Sequence, residues 1–176
     1  MDLNAQWIVG FVDGEGCFHI GINKNPEMKL GVQVLPEFTV VQDQVDEQVL
    51  YALKAYFKCG VVRKNHGTRF CYRVRGHENL LRRILPFFEK HKLKTRKRVD
   101  FAKFRKVILL MEKGEHLNPE GLEKIRQIKT NHFLKIESNY NGNITRYLSE
   151  IPCRVSSDPH ERRNDLGTVS ERGSVK

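Results

Sequence analysis

Two carboxylates, Asp13 and Glu15, stand at the end of a short apolar segment that reads Ile8-Val-Gly-Phe-Val-Asp-Gly-Glu-Gly16. Gly10 and Gly14 are four residues apart, so on a helix both lie on one face, where another backbone can approach closely. A helix C-terminus already carries partial negative charge, and two acids there are unfavourable without a nearby cation. Carboxylate oxygens suit Mg²⁺, and Mn²⁺ is also acceptable. The segment predicts a helix that ends in a metal-binding acid, although such turns also end helices without binding anything.

The positive charge of the chain is concentrated in its middle third. The 176 residues include 31 Lys and Arg against 21 Asp and Glu, for a formal net charge of +10. Residues 56–110 hold 17 of the basic side chains and only three acidic ones. Such a block is typical of proteins that bind polyanions, because phosphates that meet Lys and Arg release counterions. We therefore expect a nucleic-acid partner, with a solvated basic face as the simpler alternative.

The periodicity of apolar residues predicts helix, hairpin, helix, hairpin and then further helices, which is an α+β domain with an antiparallel sheet. The predicted elements are a helix over 4–13, strands over 17–23 and 30–42, a helix over 46–57, strands over 61–64 and 69–74, a helix from His77 to about Leu85 that Pro86 ends, a helix over 95–111, and a last helix that begins at Asn118-Pro119. Periodicity is lost after about Ile136. We interpret residues 1–136 as the domain and residues 137–176 as a mostly disordered polar tail.

One face of the predicted sheet is apolar and the other is basic. Along the last strand, apolar residues alternate with arginines, which puts the two kinds on opposite faces. Arginine side chains on an open sheet face can enter a DNA major groove and bind guanine edges. An ordinary solvated sheet face shows the same alternation. The predicted DNA-binding residues are Arg69, Arg73 and Arg75, with His19, Asn23 and Thr39 as their neighbours.

The sequence argues against several other classes of protein. No apolar run approaches the ~20 residues that span a bilayer, so no membrane partner is expected. The N-terminus, MDLNAQW, resembles neither a signal peptide nor a transit peptide. The four cysteines form no CxxC pair and the seven histidines lack the spacing of a zinc site. We expect an intracellular protein, in a prokaryotic cytoplasm or an organelle.

These residues together resemble a known family. Residues 8–16 are similar to the LAGLIDADG motif of homing endonucleases, in the variant that ends in Gly-Glu-Gly. The resemblance continues through Cys-Phe-His-Ile at 17–20, Pro-Glu-Phe-Thr-Val-Val-Gln at 36–42 and Leu-Lys-Thr-Arg-Lys-Arg-Val-Asp-Phe at 93–101. It implies an αββαββα fold whose saddle-shaped antiparallel sheet lies on DNA. It also implies a site-specific double-stranded DNA endonuclease that hydrolyses phosphodiester bonds with a divalent metal.

The resemblance assigns roles to individual residues. Glu15 matches the acid that holds the catalytic metal, and the carbonyl of Gly16 is a second candidate ligand. Gln42 matches a polar residue that orders the active-site water. Either Lys94 or Lys97 matches the basic residue that stabilises developing charge at the scissile phosphate. Without the resemblance, a glutamine at a strand end such as Gln42 is more often a surface residue, and most lysines in a basic run only contact phosphates.

A single copy of the motif stands in the sequence, and family members with one copy act as homodimers. Two chains supply two Glu15 carboxylates for the two strands of a duplex. The resemblance implies that Gly10, Gly14 and Asp13 form the interface between the first helices. Two-fold symmetry in turn implies a long pseudo-palindromic DNA site. The alternative is that both glycines accommodate a neighbouring helix of the same chain.

Two other functions fit the same residues. Some members of the family assist intron splicing as RNA-binding maturases, and a catalytically decayed relative binds DNA without cutting it. The intact acid at Glu15 favours retained nuclease chemistry over both, because a protein that only binds has no need of an unfavourable carboxylate at a helix C-terminus.

Overall fold

Helices and antiparallel strands alternate over residues 1–130, which are the residues that the computed structural model describes. The order is αββαββα with further helices at the end, so the predicted α+β class is confirmed. The helices are α1 (Ala5–Glu15), α2 (Glu47–Phe57), α3 (His77–Asn79), α4 (Leu85–Lys90), α5 (Lys97–Glu112) and α6 (Pro119–Thr130). The strands are β1 (Gly16–Lys24), β2 (Val32–Asp43), β3 (Val61–Lys64) and β4 (Arg69–Val74).

The four strands form one antiparallel sheet in the order β1-β2-β4-β3. β1 and β2 make a hairpin in which Phe18 lies opposite Phe38. β4 lies on the other side of β2, with Tyr72 opposite Val40, and β3 takes the edge. The strand β2 therefore has a neighbour on each side, and its side chains contact residues that are far away in the sequence.

The helices cover one face of this sheet and form the core with it. Alternate residues of β2, including Val34, Phe38 and Val40, are buried beneath α1, α2 and α5. The ring of Phe18 lies 5.1–5.4 Å from the rings of Phe38, Phe88, Phe101 and Phe104. These rings therefore pack against one another in the core. We call the opposite face of the sheet, which carries His19, Glu37, Thr39 and Arg73, the open face.

Helix α1 is longer than predicted because its glycines do not interrupt it. Asn4 is the N-cap, and its side chain accepts a hydrogen bond from the backbone N–H of Trp7 at 2.8 Å. The helix continues through Gly14 and ends at Glu15. A Cβ at Gly16 would lie 2.5 Å from Val12 Cγ1, so only glycine fits where the chain turns into β1. The sheet therefore begins immediately after the second acid of the motif.

The prediction that Pro86 ends a helix is wrong. The helix that begins at His77 continues to Lys90 through a π-helical turn over Leu80–Ile84. Pro86 lies in the first turn of α4, just after this wide turn. Pro86 has no N–H to donate to the preceding turn, and it stands where the helix changes from π-helical to α-helical geometry. Leu85 and Phe88 are thus carried into the core by a continuous helical segment.

The predicted polar tail, residues 137–176, and the domain boundary at Ile136 lie outside the described residues. Across residues 1–130, no helix combines the length and the apolar character that crossing a membrane requires. The elements that position the candidate site are α1, the sheet and the start of α5.

Candidate active site and nucleic-acid interface

Glu15 and Gly16 form a corner where helix α1 turns into strand β1, and we call this pair the α1–β1 corner. The side chain of Glu15 is exposed, and the last turn of α1 contains no basic residue. Negative charge from the carboxylate and from the helix C-terminus therefore accumulates at one point. Gly16 is buried and pairs with Val40 of β2, which fixes the corner to the sheet. The corner offers an exposed carboxylate beside backbone carbonyls on a rigid support.

Asp13 has a different role from Glu15, because its carboxylate bonds to its own chain. Oδ2 of Asp13 accepts from the backbone N–H of Lys94 at 2.8 Å. Oδ1 accepts from the hydroxyl of Thr95 at 2.8 Å and from its backbone N–H at 3.2 Å. Asp13 was predicted to lie in the interface between chains, whereas these bonds attach the end of α1 to the segment before α5. Thr95, which the sequence interpretation missed, also accepts from the backbone N–H of Lys97, the first residue of α5, at 3.2 Å.

The structure separates the two candidate lysines. The half-buried Lys97 directs its ammonium group to the carbonyl oxygen of Gly16, to which it donates a hydrogen bond. Lys94 is exposed and contributes its backbone N–H to Asp13. Lys97 is therefore the lysine whose charge lies at the α1–β1 corner. It also supplies positive charge at a helix end that has no basic residue of its own.

Gln42 lies near the end of β2, on the same strand face as Val40 and two residues beyond it. Because Val40 pairs with Gly16, Gln42 lies at the end of the sheet that is nearest the corner. Oε1 of Gln42 accepts from the backbone N–H of Asp43 at 3.2 Å. Asp43 itself accepts from the hydroxyl of Thr68 at 2.5 Å, and this bond lowers the pKa of the Asp43 carboxyl. The Asp43 carboxylate is thus used in hydrogen bonds that hold the turn after β2. Gln42 is the other polar side chain at this strand end.

The donors at the α1–β1 corner fit Mg²⁺ or Mn²⁺. Residues 1–130 contain no group of three or more His, Cys, Asp or Glu side chains that could hold a metal ion. Mg²⁺ commonly takes one or two carboxylates and completes its shell with water and substrate phosphate, so one exposed carboxylate is an adequate protein contribution. Glu15 supplies that carboxylate. The carbonyl of Gly16, the other predicted ligand, accepts a hydrogen bond from Lys97, and its second lone pair would remain for a metal.

Gly10 and Gly14 lie on a face of α1 that the described chain leaves uncovered. Apart from neighbouring residues of α1 itself, no atom of residues 1–130 lies within 4 Å of a Cβ built at either glycine. Trp7 and Phe11 belong to the same face by helical spacing, and their rings stack at 4.8 Å, with Trp7 41% exposed. The alternative that a helix of the same chain packs on these glycines is therefore wrong within residues 1–130. This stripe, Trp7, Gly10, Phe11 and Gly14, is the glycine face of α1.

The open face carries the residues that strand alternation places there. Thr39 lies opposite Arg73, and His19 lies opposite Glu37. Burial lowers the pKa of His19, and the Glu37 carboxylate acts in the opposite direction. The predicted residues on or beside this face are His19, Asn23, Thr39, Arg69, Arg73 and Arg75.

The three arginines are not equivalent. Arg69 is exposed, and the side chain of Arg75 is 52% exposed. The side chain of Arg73 is only 17% exposed, and its Nε is buried without a hydrogen-bond partner among the described residues. Arg73 therefore projects less freely than the sequence prediction assumed. Glu37, on the neighbouring strand, has its Oε2 3.7 Å from Nε of Arg73 and 2.7 Å from Nε of Arg75.

Two charged residues of the open face escaped the sequence interpretation. Glu37 lies two residues before Thr39 on β2, and Arg63 lies on β3 opposite Cys71. The alternation that identified Thr39 applies to Glu37 as well, since both have odd positions on one strand. Arg63 follows from the same rule, because it pairs with Cys71, whose side chain shares the open face with Arg73.

The LAGLIDADG endonuclease family matches residues 8–108, which is more than half of the chain and includes the corner, Gln42 and both lysines. The chain belongs to the LAGLIDADG endonuclease family. Its fold is similar to the crystal structure of the homing endonuclease I-TnaI, with a TM-score of 0.71 and 54% identity over 81% of this chain and 92% of that one. It is also similar to the LAGLIDADG homing endonuclease I-SmaMI bound to cleaved DNA, with a TM-score of 0.73 and 40% identity over 74% of this chain.

The chain is also similar to part of a longer protein whose name describes an endonuclease. The chain is 30% identical, over 126 residues and 71% of its length, to a "probable intron-encoded endonuclease 2" of Neurospora crassa. It spans 26% of that relative and 44% of the I-SmaMI chain. This LAGLIDADG chain therefore corresponds to a part of each of these two proteins and to nearly the whole of I-TnaI.

Proposed function

We propose that this LAGLIDADG chain is a site-specific double-stranded DNA endonuclease that works as a homodimer with Mg²⁺ or Mn²⁺. The observation that carries the proposal is the α1–β1 corner with Lys97 beside it. An exposed carboxylate, backbone carbonyls and an ammonium group lie together there. Hydrolysis of a phosphodiester requires a metal ligand and a cation near the scissile phosphate, and these groups supply both. The structure of I-SmaMI with cleaved DNA supports DNA as the substrate.

The proposed chemistry divides the work among four side chains. Glu15 would hold a divalent metal, which would supply Lewis-acid activation of water and phosphate when bound. Gln42 holds the attacking water through its side-chain amide, and Lys97 stabilises the charge that develops on the phosphate oxygens. Asp13 acts indirectly, as a positioning residue. Its three hydrogen bonds attach α1 to Lys94 and Thr95 and so set the start of α5, from which Lys97 projects.

The proposed dimer brings two chains together through the glycine face of α1. Exposed Trp7 and the open space over Gly10 and Gly14 support a second helix in this place. A second copy of the same chain has a matching face, as two-fold symmetry requires. Each open face then binds one half of a long pseudo-palindromic DNA site, and the two copies of Glu15 serve the two strands.

The name of the Neurospora relative supports expression from an intron, within a cell or organelle whose DNA carries the target.

The natural test substrate is therefore a plasmid with the sequences that flank the gene joined together. Linearisation of this plasmid with Mg²⁺, and not without it, is the expected result. Binding without cleavage would indicate a decayed DNA-binding relative, and preference for the surrounding transcript over the duplex would indicate a maturase.

Lys97→Ala is expected to reduce the cleavage rate by about 10²-fold, because it removes the cation nearest the corner. DNA binding is expected to stay within about tenfold of wild type, since one phosphate contact is a small part of the total. Lys94→Ala is the matched control, because it keeps the backbone bond to Asp13 and removes an exposed ammonium group. Single-turnover cleavage rates of the two variants make the comparison. A larger loss in Lys94→Ala than in Lys97→Ala would reverse the assignment.

Arg69→Ala is expected to weaken DNA binding by roughly 1–3 kcal/mol and to relax base preference at one position in each half-site, if this exposed side chain binds a base edge. The measurement is binding to a set of duplexes that differ at single positions. An equal loss on all duplexes, with a smaller salt dependence, would mean that Arg69 contacts only phosphate. No loss at all would contradict the assignment of the open face to DNA.

A further inference from the structure

Glu37 lies on β2, in the middle of the open face, with β1 on one side and β4 on the other. His19 of β1 pairs with it, and two arginines from the β4 side approach its carboxylate. Nε of Arg75 donates to Oε2 of Glu37 at 2.7 Å, and Nε of Arg73 lies 3.7 Å from the same oxygen. The side chain of Glu37 is 17% exposed, whereas that of Arg75 is 52% exposed. One sheltered carboxylate is thus shared by two arginines.

A carboxylate at this place lowers the affinity for DNA. It repels phosphates, and it holds arginines that would otherwise release counterions from the duplex. A surface that served affinity alone would have a neutral or basic residue there. Charged groups that weaken general attraction commonly raise selectivity, because they act against incorrect partners more than against the correct one.

The geometry of the Arg75 bond shows how selectivity can arise. A guanidinium group is a planar fork with five N–H donors, and the bond to Glu37 uses the Nε donor. The terminal nitrogens are the ones that bind O6 and N7 of guanine side by side. Holding Nε fixes the plane of the fork before DNA arrives, so less conformational entropy is lost on binding.

We propose that Glu37 is a positioning residue for base selectivity. It orients the fork of Arg75 toward a guanine edge, and it keeps Arg73 and Arg75 from the phosphates of non-target DNA. The proposal rests on the proposed function in one respect, which is that the open face binds duplex DNA. What it adds is that an acidic residue on that face raises the selectivity for the target sequence and lowers the affinity for non-target DNA.

The test compares wild type, Glu37→Gln and Glu89→Gln in selections from a randomised duplex library. Glu37→Gln is expected to bind the non-specific duplex poly(dI-dC) more tightly, with a slope of log affinity against log salt that is steeper by about one unit. Its preference for guanine at one position per half-site is expected to fall roughly tenfold. Glu89 pairs with Arg105 away from the sheet, so Glu89→Gln removes the same charge from an ion pair without changing base preference.

Two further variants separate positioning from a structural role. Glu37→Asp keeps the charge with a shorter reach, so the salt slope is expected to match wild type while guanine preference falls. In an Arg75→Ala background, Glu37→Gln is expected to produce no further loss at that position, because it acts through Arg75. Melting temperatures of all variants identify any that fail to fold.

The outcomes distinguish the two proposals. A wild-type protein that selects no duplex sequence would overturn the proposed function and this inference with it. A wild-type protein that selects a sequence, with Glu37→Gln selecting the same one equally strongly, would overturn only the role of Glu37. A further loss of guanine preference in the Arg75→Ala background would overturn it as well.

Discussion

Glu15→Gln is expected to abolish DNA cleavage and to stabilise the fold. The amide cannot replace the charged oxygen ligand that Mg²⁺ requires, so the cleavage rate should fall to background. Specific DNA binding should remain within about tenfold of wild type. Removing an exposed acid from the C-terminus of α1 relieves its repulsion with the helix dipole, which is worth about 0.3–1 kcal/mol. Plasmid cleavage, gel-shift titration and thermal unfolding together measure the three effects.

The combination of these effects is more informative than loss of activity alone. A variant that loses cleavage because it is misfolded would also lose binding and melt earlier. Glu123→Gln, which changes an exposed acid on α6, is the matched control and should cut like wild type. Cleavage by Glu15→Gln at near the wild-type rate would remove Glu15 from the active site.

Gly14→Leu is expected to prevent assembly and to leave the single chain folded. Apart from neighbouring residues of α1, nothing in the described chain lies within 4 Å of a Cβ at this position, so the protomer leaves space where the leucine side chain begins. Replacing a helical glycine also favours the helix by about 1 kcal/mol. Between two copies of α1, however, the added side chain keeps the backbones apart. Light scattering should therefore give about twice the 20.6 kDa chain mass for wild type and the single mass for Gly14→Leu.

Cleavage of both DNA strands should be lost with the dimer. Ala55→Leu, at an exposed position of α2, is the control for an added leucine on a helix surface and should leave the mass and the activity unchanged. A wild-type chain that is monomeric and still cuts both strands of an asymmetric site would contradict the dimer. Gly14→Leu that unfolds would instead show that the glycine serves the protomer.

Local patterns were sufficient to predict most of the fold. Alternation identified all four strands, and the motif located Glu15 because its glycines and acids are consecutive in the sequence. The π-helical turn before Pro86 was not predicted, since proline ends most helices and nothing nearby signals a wider turn. The end of α1 was placed too early for a related reason. Glycine is a poor helix former, but packing of α1 on the sheet outweighs that preference at Gly14.

Contacts between distant segments were the part that the sequence could not supply. Asp13 meets Thr95 across 82 residues, and the choice between Lys94 and Lys97 depends on where α5 begins relative to Gly16. The ion pairs of Glu37 depend on β4 lying next to β2, and the strand order β1-β2-β4-β3 is not encoded in alternation. The sequence was thus sufficient to identify candidate site residues, whereas the residues that they contact could be identified only from the three-dimensional structure.

The hydrogen bonds of Asp13 have a consequence for how such a gene decays over generations. If Glu15 holds the metal as proposed, a substitution there removes cleavage and leaves the end of α1, the start of α5 and the open face in place. A substitution at Asp13 releases Lys94 and Thr95 and loosens the support of Lys97 at the same time. Lineages freed from selection for cutting, but still selected for binding, should therefore lose the second acid of the motif early and retain the first.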